Sequence, residues 1–216
     1  EKEKPLVSVC IGTYNRAKLL VERSLKSILN QTYRNIEVIV VGDHCTDDTE
    51  EMMSTIDDDR VKFVNLPERG KYPVNPDFRW MVAGTTTINH ALAIAKGDFI
   101  THLADDDEHT PDRIEKLVSF IQKTRSDLVF HPFWWEEKDG KWKLKKAKHF
   151  KYGEVSTSSI FYHKWFKNIP WDMSAYEYHE PGDWNRLRKI RYINAIVARY
   201  HEPLLKHYKE RKNIGK

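Results

Sequence analysis

Short apolar runs and helix-like segments alternate along the first half of the chain. Four apolar runs occupy residues 6–11, 36–41, 61–64 and 99–103, and the second is nearly continuous in β-branched residues. Such runs are typical of parallel strands that are buried on both faces. After the first run, apolar residues recur from Val21 at i, i+4, i+7 and i+8, which places them on one face of a helix. The alternation predicts an α/β domain with a doubly wound, mostly parallel sheet.

Local signals predict where further helices begin. A capping-box pattern at 47–50 predicts one helix start, and Thr110 followed by Pro111 predicts another, with Thr110 as the N-cap. A third helix is expected around 88–95. The stretch 67–78 contains Gly and Pro but no helical periodicity, so it is predicted to be a loop.

The second half of the chain has a different pattern. The run 128–132 predicts another strand, and Asp139-Gly140 between two aromatic-rich segments is a strong signal of a two-residue β-hairpin. Trp134 and Trp135 are consecutive, so in a strand one of the two rings would face outwards. That exposed ring is a candidate surface for stacking with a bound molecule.

The composition is that of an ordinary globular domain. Of the 216 residues, 40% are hydrophobic and 31% are charged, and no apolar run approaches the ~20 residues that a membrane span needs. No linker or repeat divides the chain. We therefore predict a single domain over 1–216, made of one half over about 1–107 and a second half of different pattern over 108–216. The missing initiator Met and the basic tail are the pattern of a module from a longer chain.

Cysteine content and charge bear on location and partners. Cys10 and Cys45 are too few for a disulfide framework, and we expect buried free thiols in a reducing, cytoplasmic compartment. The charged start argues against a signal peptide.

The net charge is +4, and between residues 141 and 146 lysines alternate with Trp and Leu. That alternation fits one solvated face of a strand better than a nucleic-acid site. The basic face could rest against anionic lipid as a peripheral membrane contact, although no segment is amphipathic enough to insert.

Three adjacent carboxylates, Asp105, Asp106 and Asp107, follow the apolar run 99–103. Ionised acids this close repel one another, so folding alone gives no reason for the cluster. At the end of a strand they can share a divalent cation, and the cation can hold a diphosphate. The alternative interpretation is a solvated acidic loop.

Polar residues also follow the first two apolar runs, as Gly12-Thr13-Tyr14-Asn15 and as Asp43. The carboxyl ends of parallel strands meet at one edge of a sheet, so these residues and the acidic triplet should line one cleft. An aromatic ring for a base, a carboxylate for a base N–H and a metal site for a diphosphate indicate a nucleoside diphosphate pocket. Neither a P-loop nor a dinucleotide-binding glycine motif is present, which argues against an ATPase or a dinucleotide oxidoreductase and leaves the phosphates to a metal ion.

On these residues the chain resembles a family 2 glycosyltransferase with the GT-A fold, the inverting class typified by the spore-coat polysaccharide enzyme. The matching segments are 7–16, 27–33 with 36–43, and 91–113, with a weaker match at 170–187. The resemblance implies a Rossmann-like nucleotide-binding half over about 1–107 and an acceptor-binding half over 108–216 with a small β/α portion. It also implies inverting, metal-dependent transfer of a sugar from a nucleoside diphosphate, most commonly UDP, to a hydroxyl of a glycan or of a lipid-linked acceptor.

The resemblance also assigns roles to individual residues. Nucleotide binding falls to Gly12, Thr13, Tyr14, Asp43, Arg79 and Asp105. Within that set, Asp105 would contact the ribose and Arg79 the base. Mn²⁺ or Mg²⁺ would be held by Asp106 and Asp107. His201 and His207 match a late histidine that some members place near the diphosphate. The chain departs from the family pattern at Gly12, where Pro is common, and at Ala104, where the acidic motif usually begins.

Inverting transfer is a single in-line displacement, in which a base removes the proton of the acceptor hydroxyl. The segment Glu180-Pro-Gly-Asp183-Trp184 resembles the family segment that supplies this base, and the match gives the role to Asp183. The same residue could instead be the N-cap of a helix that begins at Trp184. Glu180 and Glu177 are the reserve candidates.

Two other functions are open at this point. A nucleotidyltransferase also combines a metal-binding Asp motif with an α/β nucleotide fold, but it should carry a basic glycine-rich signature near the N-terminus, which is absent here. A degenerate, non-catalytic sugar-nucleotide-binding module of a larger synthase is the other alternative. The presence of both the acidic triplet and Asp183 argues against that module.

Overall fold

A computed structural model describes residues 4–209 and contains two β-sheets. The strands are β1 (Val7–Thr13), β2 (Ile36–Gly42), β3 (Val61–Asn65), β4 (Phe99–His102), β5 (Glu108–His109), β6 (Leu128–Phe130), β7 (Phe133–Glu136), β8 (Trp142–Lys145), β9 (Ile160–His163), β10 (Val197–Arg199) and β11 (Leu205–His207). The larger sheet has seven strands in the order β10-β6-β9-β4-β1-β2-β3. The smaller sheet has four, in the order β5-β11-β7-β8.

Helices cover both faces of the larger sheet. They are α1 (Ala17–Leu19), a π-helical segment (Leu20–Leu25), α2 (Lys26–Leu29), α3 (Thr49–Ser54), α4 (Pro76–Val82), α5 (Thr85–Ile94), α6 (Arg113–Thr124) and α7 (Gly182–Tyr192), with 3₁₀ turns at Thr157–Ser159, Lys164–Asn168 and Ala175–Tyr178. No helix within residues 4–209 is long and apolar enough to span a bilayer.

The parallel arrangement predicted for the first half is confirmed. β1 pairs in parallel with both β2 and β4, and β2 pairs in parallel with β3. Within β1, Val7, Val9 and Ile11 face a cluster that includes residues of the first helical segments and α6, whereas Cys10 faces a cluster with residues of α5 and α7. Burial on both faces explains why these strands are apolar without alternation. β9 lies between β4 and β6 and runs antiparallel to both, and β10 and β3 form the edges of the sheet.

The predicted cap of α6 is wrong. The helix begins at Arg113 with Asp112 at the N-cap position. The Thr110 hydroxyl donates to Asp112 Oδ1 at 3.1 Å, and the Thr110 N–H donates to the Leu204 carbonyl at 3.1 Å. Thr110 therefore belongs to the segment that follows β5 and not to the helix.

The predicted start of α3 is also wrong, because Asp48 occupies the N-cap position and Asp47 lies before it. Asp47 Oδ1 accepts from the Thr49 N–H at 3.2 Å, which closes a local turn and not a capping box. The predicted loop at 67–78 contains the start of α4. The Asn75 side chain caps this helix by accepting from the N–H groups of Asp77 and Phe78, and Pro76 stands at its first position.

A hairpin with its turn at Asp139-Gly140 is confirmed, but the predicted two-residue loop is wrong: the Glu137 N–H donates to the Lys141 carbonyl at 2.8 Å, which leaves three residues in the loop. β7 and β8 are antiparallel, and Gly140 adopts a φ of +79° in the turn. Trp134 is 37% exposed, whereas the Trp135 ring turns inwards and stacks on His207 with 4.6 Å between ring centroids. The expectation that one of the two rings faces out is confirmed. Cys10 and Cys45 are both buried free thiols, as expected.

Candidate active site

The three strand ends that the sequence predicts to converge meet at Thr13. The Thr13 carbonyl accepts from the Asp43 N–H at 2.9 Å, so the ends of β1 and β2 are held together. The Thr13 hydroxyl donates to Asp105 Oδ2 at 2.7 Å, which attaches the acidic triplet to the same point. The residues after β1, β2 and β4 therefore form one edge, as the topology of a parallel sheet requires.

Gly12 brings α5 against this edge. A Cβ atom at Gly12 would lie 2.3 Å from Thr87 Oγ1, and Thr87 is buried in the first turn of α5. The absence of a side chain therefore allows the helix N-terminus to approach the end of β1. This packing explains why Gly and not Pro stands here, and the nucleotide-binding role of Gly12 stays a prediction.

The loop after β3 covers Tyr14 and Asp43. Gly70 donates its N–H to Asp43 Oδ1 at 2.8 Å, and Arg69 Nε lies 3.7 Å from Asp43 Oδ2. The Arg69 guanidinium carbon also lies 3.7 Å from the centroid of the Tyr14 ring, which is 38% exposed. Sequence reasoning missed Arg69, because nothing in the unpatterned loop indicates which strand end it reaches. The Tyr72 ring lies next to Gly70, and burial raises the pKa of its hydroxyl to about 12.

Arg79 is a predicted nucleotide contact that the structure does not bring to this edge. Its Nε donates to the Pro73 carbonyl at 3.1 Å and its Nη2 to the Val74 carbonyl at 2.8 Å. These contacts close the entry to α4, and within residues 4–209 no hydrogen bond or ion pair joins Arg79 to Tyr14 or Asp43. A role for Arg79 at the base stays a prediction that the present contacts do not support.

An arginine that sequence reasoning also missed bridges the first two acids of the triplet. Arg16 Nη1 lies 3.2 Å from Asp105 Oδ1 and 3.0 Å from Asp106 Oδ2. Burial raises the pKa of Asp105, and the Arg16 guanidinium opposes that rise. Burial, followed by the charges of Asp107 and Asp105, raises the pKa of Asp106 to about 6. The Arg16 guanidinium opposes the rise in the pKa of Asp106 as well.

Asp107 has different partners. It is fully buried, its Oδ2 accepts from His207 Nδ1 at 2.8 Å, and its Oδ1 accepts from the Tyr208 N–H at 3.0 Å. The acid thus fixes the end of β11 beside the triplet, which agrees with the expectation that His207 lies close to it. Both carboxylate oxygens already have donors, so metal binding by Asp107 stays a prediction, and Asp106 is the better placed of the two.

The π-helical segment clamps the backbone of the triplet. Ser24 Oγ lies 2.9 Å from the Ala104 carbonyl and 3.0 Å from the Asp107 carbonyl. Arg23 Nη1 donates to the Asp106 carbonyl at 2.9 Å, and its guanidinium carbon lies 3.7 Å from the centroid of the Tyr208 ring. The turn that presents the carboxylates is therefore fixed by side chains from outside it. π-helical segments are frequent at functional sites.

The triplet fits a divalent ion that is held by few protein ligands. Among residues 4–209 no three His, Cys, Asp or Glu side chains converge closely enough to bind a metal by themselves. Mg²⁺ is commonly bound through one or two carboxylates, with substrate phosphates and water completing the octahedron. The Asp106 carboxylate, with Asp105 beside it on the same arginine, suits that mode of binding.

Asp183 lies in the first turn of α7 and is not its N-cap. The helix begins at Gly182 with Pro181 at the cap position, so the capping interpretation of Asp183 is wrong. Asp183 Oδ1 accepts from the Trp184 N–H at 2.7 Å, and Oδ2 accepts from the Thr157 hydroxyl. Burial raises the pKa of the Asp183 carboxyl, which makes it a stronger base than an exposed aspartate.

A short 3₁₀ turn connects Asp183 to the acidic triplet. Thr157 and Ser158 are neighbours in this turn, and Ser158 Oγ accepts from the Ala104 N–H at 3.1 Å, directly before the triplet. Thr157 contacts Asp183, so the two acidic groups lie on either side of the same turn. Of the reserve candidates, Glu180 forms an ion pair with Arg188 at 2.9 Å and Glu177 is exposed.

The sequence matches the family model "Glycosyl transferase family 2" over residues 8–73 and 83–192. Among curated proteins, the chain is 37% identical over 106 residues to the GalNAc(5)-diNAcBac-PP-undecaprenol beta-1,3-glucosyltransferase of Campylobacter jejuni, which covers 48% of this chain and 30% of that protein. The chain spans about two fifths of the length of several other curated relatives.

Solved structures share the fold. The S. aureus TarS fragment 1–349 in complex with UDP-GlcNAc has a TM-score of 0.75 at 19% identity, and the match covers 96% of this chain and 59% of that one. The mannosyltransferase PcManGT from Pyrobaculum calidifontis, in complex with GDP-Man and Mn²⁺, has a TM-score of 0.69 at 18% identity and covers 97% and 59%. The likeness confirms the predicted GT-A fold.

Proposed function

Because the chain belongs to glycosyl transferase family 2, we propose that it carries the donor site and the catalytic base of an inverting transferase. The donor is a sugar linked to a nucleoside diphosphate, with UDP as the first choice, and the acceptor is a hydroxyl of a glycan or of a lipid-linked glycan. The observation that carries the proposal is the convergence of Thr13, Asp43 and Asp105 at one sheet edge. The UDP-GlcNAc bound to TarS and the PP-undecaprenol in the name of the Campylobacter relative support the choice of donor and acceptor.

The base and ribose contacts are assigned from the strand ends. Tyr14 offers a half-exposed ring for stacking on the base, and the Asp43 carboxylate can accept a base N–H. The Arg69 guanidinium covers one face of the Tyr14 ring, so a base would stack on the other face or displace Arg69. Asp105 is the acceptor for a ribose hydroxyl, held in place by Thr13.

The diphosphate is assigned to the region of Asp106 and Arg16. Asp106 is the residue that would hold Mn²⁺ or Mg²⁺, and the ion, when bound, would neutralise the departing nucleoside diphosphate. The Arg16 guanidinium adds a fixed positive charge beside the same carboxylates. Asp107 positions His207 and Tyr208 around this region and keeps the triplet in its turn.

Asp183 is the proposed general base. It must be ionised to accept the proton of the acceptor hydroxyl, and its hydrogen bonds from Thr157 and Trp184 fix the carboxylate in one orientation. In-line displacement requires the base on the opposite side of the sugar from the diphosphate. The 3₁₀ turn at 157–159 separates Asp183 from the acidic triplet and supports that arrangement.

A thermal-shift experiment with nucleoside diphosphates tests the proposed donor site. We expect UDP with Mn²⁺ to stabilise the protein far more than UDP with a chelator, because no glycine-rich loop holds the phosphates without a metal ion. At a ligand concentration 100 times the Kd, linkage gives about 2.7 kcal/mol. For a chain of this size that free energy raises Tm by about 5–10 °C.

GDP and dTDP serve as matched ligands that differ only in the nucleoside. If GDP raises Tm more than UDP does, the donor is a GDP-sugar, and the proposed glycosyl transfer still holds. Equal shifts with Mn²⁺ and with the chelator would contradict the assignment of the diphosphate to a metal ion at Asp106.

A further inference from the structure

The outward face of the β7–β8 hairpin exposes three large apolar side chains. Trp134 pairs directly with Leu144 across the two strands, and Trp142 lies two residues before Leu144 on the same face. Trp134 is 37% exposed, Leu144 36% and Trp142 39%. We call these three side chains the hairpin face.

In this segment lysines alternate with Trp and Leu, but the apolar side chains are not the ones that are buried. On the inner face, Trp135 stacks on His207, and Lys145 Nζ lies 5.4 Å from the centroid of the Trp135 ring. In β8 the apolar Trp142 and Leu144 are exposed to solvent, as is Lys143 on the other face. Three neighbouring apolar side chains, each with more than a third of its surface exposed, form a candidate contact surface.

A cationic groove adjoins the hairpin face. It has a volume of about 420 Å³, shares Leu144 with the hairpin face, and is otherwise lined by basic side chains and two prolines. The basic side chains are Lys146, Lys148, Arg199 and His201, and no acidic residue among residues 4–209 lines it. We call it the basic groove.

The Arg199 guanidinium is held in a fixed position in the basic groove. Arg199 Nε donates to the Ala147 carbonyl at 2.7 Å, and its Nη2 donates to the Lys146 carbonyl at 2.7 Å. These carbonyls orient the guanidinium without neutralising it. His201 lies 3.5 Å from the Glu202 carboxylate, whereas no ion pair within residues 4–209 involves Lys146 or Lys148. The groove therefore presents uncompensated positive charge next to exposed apolar rings.

We propose that the hairpin face and the basic groove together dock the protein onto an anionic lipid bilayer. Tryptophan rings lie preferentially at the level of the lipid headgroups, and lysine and arginine are attracted to anionic headgroups. The groove takes a lipid phosphate, and the hairpin face enters the interface beside it. Contact is peripheral, because three side chains give only shallow insertion.

The position of this surface suits an enzyme with a lipid-linked acceptor. The Trp142 ring meets the Tyr208 ring edge to face at 5.0 Å between centroids, and the Tyr208 N–H donates to Asp107. Tyr208 therefore contacts both Trp142 of the hairpin face and Asp107 of the acidic triplet. The advantage of membrane docking rests on the proposed function, but binding to the bilayer itself requires neither a sugar-nucleotide donor nor turnover.

Vesicle co-sedimentation tests the contact directly. We expect the protein to bind phosphatidylcholine vesicles that contain phosphatidylglycerol and to bind pure phosphatidylcholine vesicles weakly. The double variant Lys146→Glu/Lys148→Glu should bind the anionic vesicles at least about tenfold more weakly, because four charge units change beside the bilayer. Lys62→Glu/Lys123→Glu is the matched control, since it changes the net charge equally at exposed positions on β3 and α6 and should bind like the wild type.

Fluorescence quenching by brominated lipid tests the hairpin face separately. Quenching should be strong in the wild type and much weaker in Trp134→Phe/Trp142→Phe. Equal binding to neutral and anionic vesicles, or an equal loss in the lysine variant and its control, would overturn the proposal. Stronger binding to a DNA duplex than to anionic vesicles would overturn it in favour of a nucleic acid. If vesicles bind but no sugar nucleotide is turned over, the docking surface stands and the proposed function fails.

Discussion

Asp106→Asn is expected to lower metal-dependent transfer by at least about two to three orders of magnitude. A Lewis-acidic metal ion contributes several kcal/mol of charge stabilisation in the transition state. Each 1.36 kcal/mol corresponds to about a factor of ten in rate. The Asn amide keeps the size of the side chain but removes the charge that attracts the ion. Turnover of a UDP-sugar at saturating Mn²⁺, together with the Mn²⁺ concentration for half-maximal rate, measures the effect.

Two neighbouring variants separate this role from the others in the triplet. Asp105→Asn should mainly weaken nucleotide affinity, because Asp105 is held by Thr13 and faces the expected ribose. Asp107→Asn should lower stability and loosen the β11 end through the loss of its bond with His207. Asp59→Asn, at an exposed position, is the control for loss of one negative charge. If Asp107→Asn harms metal affinity more than Asp106→Asn does, the metal assignment is wrong by one residue.

Asp183→Asn is expected to lower turnover by about 10² to 10⁴ while donor affinity hardly changes. Loss of general base catalysis typically costs this much in rate. Asp183 contacts Thr157 and Trp184 and has no contact with the residues assigned to the nucleotide, so UDP should bind as before. The amide retains most of the hydrogen-bonding reach but cannot accept a proton at neutral pH. Rate and donor Kd measured side by side give the result.

The Thr157→Val variant is the matched control, because it keeps the carboxylate and removes one hydrogen bond to it. That bond lowers the pKa of Asp183, so its loss should raise the pKa further. The base works only when ionised, and the rate falls as the pH falls through its pKa. The acid limb of the pH–rate profile should therefore move to higher pH in Thr157→Val, with the rate at alkaline pH retained. Near-normal turnover in Asp183→Asn would transfer the role of base to Glu180 or Glu177.

The main sheet and its edge could be predicted because their signals are local. The run 36–41 is buried on both faces, so its sequence is apolar almost throughout. Asp43 follows soon after the run ends and is therefore predicted to lie at the end of the strand. Parallel strands then place Asp43, Thr13 and Asp105 together without further information. The turn at Asp139-Gly140 could also be predicted, because the backbone there needs a positive φ that glycine adopts without strain.

Other parts of the site depend on contacts that no local pattern carries. Asp107 and His207 are 100 residues apart in sequence, and Arg69 reaches Tyr14 from an unpatterned loop. α4 has seven residues, about two turns, which is too short for a periodic signal. The cap of α6 was misplaced because the Thr110 hydroxyl donates to Asp112 and does not cap the helix.

Phosphorus NMR of a UDP-sugar that has been incubated with the protein and Mn²⁺, recorded after excess chelator has removed the paramagnetic ion from the nucleotides, tests the central claim most directly, because it distinguishes every product class at once. We expect UDP to appear, slowly with water as acceptor and faster with a lipid-linked glycan, and we expect none with a chelator or with Asp106→Asn. UMP together with a sugar phosphate, or formation of a new phosphate diester, would contradict sugar transfer. An unchanged spectrum in the presence of bound UDP-sugar and Mn²⁺ would identify the chain as a binding module without catalysis.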